Sequence, residues 1–199
     1  MIYDYETLKL KYKDYSNINQ KISLETKKGN LVRIKKELYT DSLNLDKYVI
    51  ANMALDPSYI SFEYALSYYG LIPEYVSMIT SSCYNKKNYK KNIVNNITFE
   101  YRSIPNDAYP FGIKFYKGEN NIRFKMASKE KALCDTLYSK YPVRFIKDLK
   151  VLLFEDLRID ENEFWKLDFE FIKEICDKYH SNTIKTLIKF VEGEKNEHN

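Results

Sequence analysis

The stretch Asp56-Pro57-Ser58-Tyr59-Ile60-Ser61-Phe62-Glu63-Tyr64-Ala65-Leu66-Ser67-Tyr68-Tyr69-Gly70-Leu71-Ile72-Pro73 reads as one short, capped, buried helix. Phe62, Ala65, Leu66 and Tyr69 recur at the i, i+3, i+4, i+7 spacing of a single helical stripe. Ser58 or Ser61 can cap its start, Gly70 stands where a left-handed C-terminal cap belongs, and Pro73 forbids continuation. Tyr59, Tyr64, Tyr68 and Tyr69 could in principle stack on bases, but at this spacing beside Leu66 they fit a core or interface better.

On the N-terminal side of this stretch, Lys47 to Leu55 is mostly helical in pattern and Asp41 to Asp46 reads as a polar connector, which puts a domain boundary at residue 45. Before it, Tyr5, Leu8 and Tyr12 are spaced as one helix behind an Asp4 cap. Asp14-Tyr15-Ser16 breaks that helix, Asn17 can cap a second one through about Lys28, and Gly29 can end it in the left-handed conformation. Leu31-Val32-Arg33-Ile34 and Leu38-Tyr39 then alternate around Lys35-Lys36-Glu37 as a small β-ribbon does. Helix, turn, helix, glycine and ribbon describe a winged helix-turn-helix over residues 1–45. Against it, Glu25 and Thr26 fall on the apolar stripe begun by Ile18 and Ile22, and Leu24 points off it.

On the C-terminal side, apolar residues alternate in Ile97 to Ile104, Phe111 to Lys117 and Ile122 to Met126, with Gly118 to Asn121 as a hairpin turn. From Ser128 the pattern is helical: Lys129 to Lys140, Arg144 to Phe154, Glu161 to Tyr179 and Ser181 to Val191, with Asp160 and Glu163 as a capping box and a charged, frayed tail from Glu192. The expected class is α+β: a winged helix-turn-helix, then a C-terminal domain (residues 46–199) with a small, mostly antiparallel sheet and several helices.

A 44% hydrophobic content over 199 residues can bury a core, and no apolar run approaches the length of a membrane span. Met1 to Leu10 lacks the basic-then-apolar order of a signal peptide, so a cytoplasmic location is expected, with no membrane partner. Cys83, Cys134 and Cys176 are too few and too far apart for a disulfide framework or metal knuckle. With only His180 and His198, no P-loop and no glycine-rich dinucleotide turn, no catalytic residue, metal site or cofactor is expected, and an enzyme is not the reading.

The charge of +4 is unevenly spread, with most of the excess before Asp46. A helix over Asn17–Lys28 fits a major groove, where Asn19 and Gln20 can meet adenine edges and Lys21 a guanine or a phosphate, with Asn17 at its start. Lys27, Lys28, Arg33, Lys35 and Lys36 would cluster at the helix end and the wing tip, within reach of phosphates. A second basic run, Lys86, Lys87, Lys90 and Lys91, and the set Glu130, Lys131 and Asp135 are candidate contacts for a partner or the neighbouring domain. The plainer reading of Lys131 and Asp135, four apart on one helical face, is a surface ion pair.

Two motifs, PSYIS..YALSYYGLIPE from Pro57 and A..EKAL.D.LY from Ala127, resemble the AbiEi family of antitoxins from bacterial type IV toxin–antitoxin (abortive infection, phage defence) systems. Gly29, Leu31, Arg33, Ile34, Leu38 and Tyr39 are similar to the family's end-of-helix and wing, although the glycine usual before that tyrosine and the Leu-like residues usual near Glu25 are missing. The resemblance implies an antitoxin that binds inverted repeats in operator DNA and represses its own operon. Its functional partner would be a nucleotidyltransferase-like toxin, bound directly or not. A toxin-binding module without DNA binding, or a stand-alone transcriptional regulator, are the alternatives.

Overall fold

After a short strand, Ile2–Asp4 (β1), two side-chain caps start the first helices. Asp4 accepts from the Thr7 N–H at 2.7 Å at the head of Tyr5–Lys11 (α1), and Asn17 accepts from the Gln20 N–H at 3.0 Å at the head of Ile18–Lys27 (α2). The computed structural model describes residues 1–41, 46–93, 97–118 and 121–197, with the backbone alone at 91–93 and 195–197. Gly29, at φ +78°, ends α2 as expected. Glu25 sits on the inner side of α2 because it fastens the helix end: its carboxylate takes the Lys21 ammonium at 2.9 Å and the Asn30 amide at 2.8 Å.

Val32–Lys35 (β2) and Leu38–Thr40 (β3) form the expected ribbon, and β1 pairs with the other edge of β3, giving a three-stranded antiparallel sheet in the order β1-β3-β2. Alternation along these strands divides the sheet between two cores. Tyr3, Leu31 and Tyr39 join Leu8 and Ile22 beneath α1 and α2, whereas Ile2, Val32, Ile34 and Leu38 pack into the core of the body. The ribbon is therefore covered on both faces and is not a freely projecting wing. Residues 42–45, which hold most of the expected connector and the end of the expected boundary, lie outside the described residues.

The body begins with Lys47–Ala54 (α3), capped by Asp46, and is built on a six-stranded sheet. Its strands are Ser58–Ile60 (β4), Ile79–Cys83 (β5), Tyr89–Ile93 (β6), Ile97–Ser103 (β7), Ile113–Lys117 (β8) and Arg123–Ala127 (β9), in the order β6-β7-β5-β4-β9-β8. The β5–β7 and β4–β9 pairings are parallel and the other three antiparallel, so the sheet is larger and more mixed than its alternating segments implied.

The stretch 56–73 is not one helix. Ser58–Ile60 is the fully buried central strand β4, and only Phe62–Tyr68 (α4) is helical, with Gly70 at φ +72° behind it. The helical spacing begins at Phe62. The preceding Ser-Tyr-Ile is a short run buried on both faces, which pattern alone cannot assign. Ser61 makes no cap hydrogen bond; its hydroxyl reaches Asp135 instead. Tyr64, Tyr68 and Tyr69 pack with Tyr48, Tyr116 and Phe124, ring to ring, as a core and interface stripe would.

A helical layer follows: Lys129–Ser139 (α5), Ile146–Lys150 (α6) running into a π-helical segment Val151–Asp156, Glu161–Phe164 (α7), Phe169–Cys176 (α8), a 3₁₀ turn at Asp177–Tyr179, and Asn182–Glu197 (α9). The segment Glu161 to Tyr179 breaks because it carries a second cap, Asp168, which accepts from the Phe171 N–H. Beyond Glu192 the chain stays helical, tied by Lys173–Glu192 at 2.6 Å and Lys150–Glu194 at 2.7 Å. Among the described residues no helix is long and apolar enough to cross a membrane.

Candidate nucleic-acid interface

Burial of Ile22 and half-burial of Ile18 fix the rotation of α2, and the face left outward is polar and basic: Asn19, Gln20, Ser23 and Lys27, with Leu24 exposed among them. Asn17 spends its side-chain oxygen on the cap, and Asn19 accepts from the Tyr5 hydroxyl at 2.6 Å, which orients its amide. Gln20 has no such tie among the described residues and is the freest amide on the helix. Lys21 is not a free reader. It faces Glu25 and lies over the Tyr15 ring at 4.4 Å, and the hydrogen bond to Glu25, followed by one to Tyr15, raises its pKa.

Lys27 and Lys28 are exposed at the end of α2; the Lys28 charge helps to lower the Glu25 carboxyl, and neither lysine makes an ion pair among the described residues. Arg33 is exposed on β2, its guanidinium donating to the Lys35 carbonyl at 3.4 Å. The hairpin turn holds Glu37 at φ +62°, with its carboxylate 3.8 Å from Lys36. Lys35 and Lys36 do not stand apart with the α2 cations: they face the body across a groove.

That groove brings together residues far apart in sequence. On one side of the last turn of α3, a hollow of about 550 Å³ is lined by Lys35, Asn52, Phe115, Arg123 and Lys125. On the other side a hollow of about 400 Å³ is lined by Lys35, Lys36, Lys86, Lys87 and Tyr89. Lys86 and Lys87 thus line the same hollow as Lys35 and Lys36 of the N-terminal hairpin. Lys90 instead pairs with Glu100 at 3.2 Å, and the side chain of Lys91 lies outside the described residues. The sequence reading missed Phe115, Arg123 and Lys125. Their one signal was the alternation of β9, which puts Arg123 and Lys125 opposite the buried Phe124 and Met126.

Lys131 and Asp135 are neither a surface pair nor available to a partner: both are 0% exposed, 3.1 Å apart inside the body. The pair survives desolvation because every strong polar atom is satisfied. Lys131 also donates to the Ala108 carbonyl at 2.7 Å and the Tyr179 hydroxyl at 2.6 Å. Asp135 accepts from Tyr179 at 2.6 Å, Ser61 at 2.6 Å and Tyr59 at 3.0 Å. Burial, then the Asp135 charge, pushes both phenol pKa values well up, so these hydroxyls stay protonated donors. Glu130 accepts from the Asp168 N–H at 3.3 Å at the start of α8. The motif containing these three residues ties α5 to β4 and the helical layer.

Among the described residues no group of three His, Cys, Asp or Glu side chains is placed to hold a metal. The three cysteines are buried free thiols, and burial raises Cys134 far above its ordinary value. His180 is exposed, 3.7 Å from Asp107. Comparison with protein-family models and with curated proteins finds no match.

Proposed function

We propose that the chain is a DNA-binding antitoxin of the AbiEi kind, whose α2 lies in the major groove of operator DNA and which thereby represses its own operon. The observation that carries the DNA half is the outward face of α2: Gln20, the Tyr5-oriented Asn19, Ser23 and Lys27 form one polar, basic surface on a helix capped at both ends and anchored by Ile22. In this reading Gln20 and Asn19 read adenine edges, while Lys27, Lys28 and Arg33 hold phosphates. Lys21 serves to stiffen the helix. The antitoxin half rests on the motifs at Pro57 and Ala127 alone.

The test is a titration of the full chain against a duplex carrying the inverted repeats upstream of its gene. Gln20→Ala should cost about 1–3 kcal/mol on that duplex and little on a scrambled one. Antitoxin action is checked by growth rescue when the chain is expressed with the nucleotidyltransferase-like protein encoded beside it. A second reading, a module that grips the toxin directly, is favoured by the exposed apolar side chains of the α5–α6 connection and the first residue of α6: Phe145 is 70%, Tyr141 56% and Ile146 41% exposed. Phe145→Asp abolishes growth rescue without touching operator binding if that reading holds.

A further inference from the structure

Three basic segments separated by up to 90 positions meet around the end of α3: Lys35 and Lys36 of the hairpin, Lys86 and Lys87 before β6, and Arg123 and Lys125 of β9. The two hollows they line share Lys35, so they form one groove with two basins. Each basin has an apolar floor, Leu38 and Met53 in the first and Ala54 and Leu55 in the second. Each also has an aromatic ring at its rim, Phe115 at 69% exposure and Tyr89 at 43%. Acids are few: Asp56 in the first basin is held by Lys125 at 3.4 Å, and Glu37 lies beside Lys36. Lys35, Lys86, Lys87 and Arg123 have no acidic partner among the described residues.

We propose that this groove binds single-stranded nucleic acid, with one base on Phe115, another on Tyr89, and the backbone between them neutralised by Lys35. The ligand must supply repeated negative charge and flat apolar faces at the same spacing. A single strand has both, because its base faces are free; in a duplex those faces are stacked on one another and cannot meet a ring. An acidic peptide would satisfy the lysines and leave the two exposed rings without a role. Binding of this kind tolerates any sequence, since every base has a π-face. The inference uses the groove and not the outer face of α2, so it stands or falls separately from operator recognition.

The experiment measures fluorescence anisotropy of the full chain with labelled oligothymidine and oligouridine of roughly twelve nucleotides, within the span such grooves cover. A mixed-sequence duplex of the same length and inorganic polyphosphate serve as competitors. Phe115→Ala with Tyr89→Ala should weaken single-strand binding about tenfold or more, the scale of losing base stacking, while duplex affinity stays unchanged. Phe115→Trp should retain binding, and Gln20→Ala should leave it untouched. The DNA and RNA arms tell which strand is held more tightly. The inference is overturned if the single strands do not bind, if polyphosphate displaces them as well as unlabelled strand does, or if the ring substitutions change nothing while the fold is intact by circular dichroism.

Discussion

Removing one partner of the Lys131–Asp135 pair leaves a charge with no water to solvate it. Lys131→Met strands Asp135 and should cost about 3–5 kcal/mol, read as a lowered urea midpoint with an unchanged slope. Replacing Asp135 by Leu in the same chain should recover only part of that loss, because Tyr59, Ser61 and Tyr179 would then lack their acceptor. Gly112 guards the same residue from the other side. It sits at φ +64°, and a Cβ there would lie 2.8 Å from the Cβ of Lys131. Gly112→Ala should therefore destabilise by about 1–3 kcal/mol through strain alone, measurable in the same melt. The spacing of Lys131 and Asp135 was legible but their burial was not, because an i, i+4 pair of opposite charges has the same pattern inside and outside a protein. What buries it is Tyr59 on β4, Ser61 between β4 and α4, and Tyr179 after α8, none of them near in sequence.

Between elements, the clearest joint is electrostatic: Glu63 on α4 takes Arg102 of β7 at 2.7 Å and Lys140 at the end of α5 at 2.8 Å, while Glu100 takes the same guanidinium at 2.8 Å. Burial pushes the Glu63 carboxyl up, but the Lys140 hydrogen bond and the Arg102 charge together outweigh it and hold it below its ordinary 4.5. Glu100 is likewise raised by burial and brought below 4.5 by Arg102 and Lys90. With both folded-state values depressed, the stabilisation is complete above the ordinary value and is lost as pH falls through the lower folded values. Stability should thus be level above about pH 5 and drop in acid, and Glu63→Gln should be less stable at neutral pH yet show a shallower acid fall in pH-dependent denaturation. Elements with caps were the legible ones: Asp4, Asn17, Gly29, Gly70 and Asp160 mark ends that the structure keeps. Short buried strands were not. Ser58–Ile60 has no wet face and hence no alternation, and β1 is three residues whose pairing to β3 is a purely tertiary fact.

Across the whole molecule, the small sheet is the hinge of the account, since one face carries α1 and α2 and the other is built into the body through Val32 and Ile34. Val32→Asp should loosen that seam and lower overall stability by more than about 2 kcal/mol by placing a charge in the body core, which a thermal melt would detect. The outward direction of α2 could be foreseen from Ile18 and Ile22. The inward turn of Lys35 toward Lys86 and Arg123 could not, because it depends on how two units dock. Operator recognition by α2 is tested by the affinity for operator DNA, measured by anisotropy over a range of salt, for the native chain and for Lys27→Ala with Lys28→Ala. Tight binding to the inverted repeats over a scrambled duplex is expected, with a log–log salt slope that falls by about 1.8 when those two lysines are removed. Equal affinity for both duplexes, or a slope indifferent to both lysines, would contradict it.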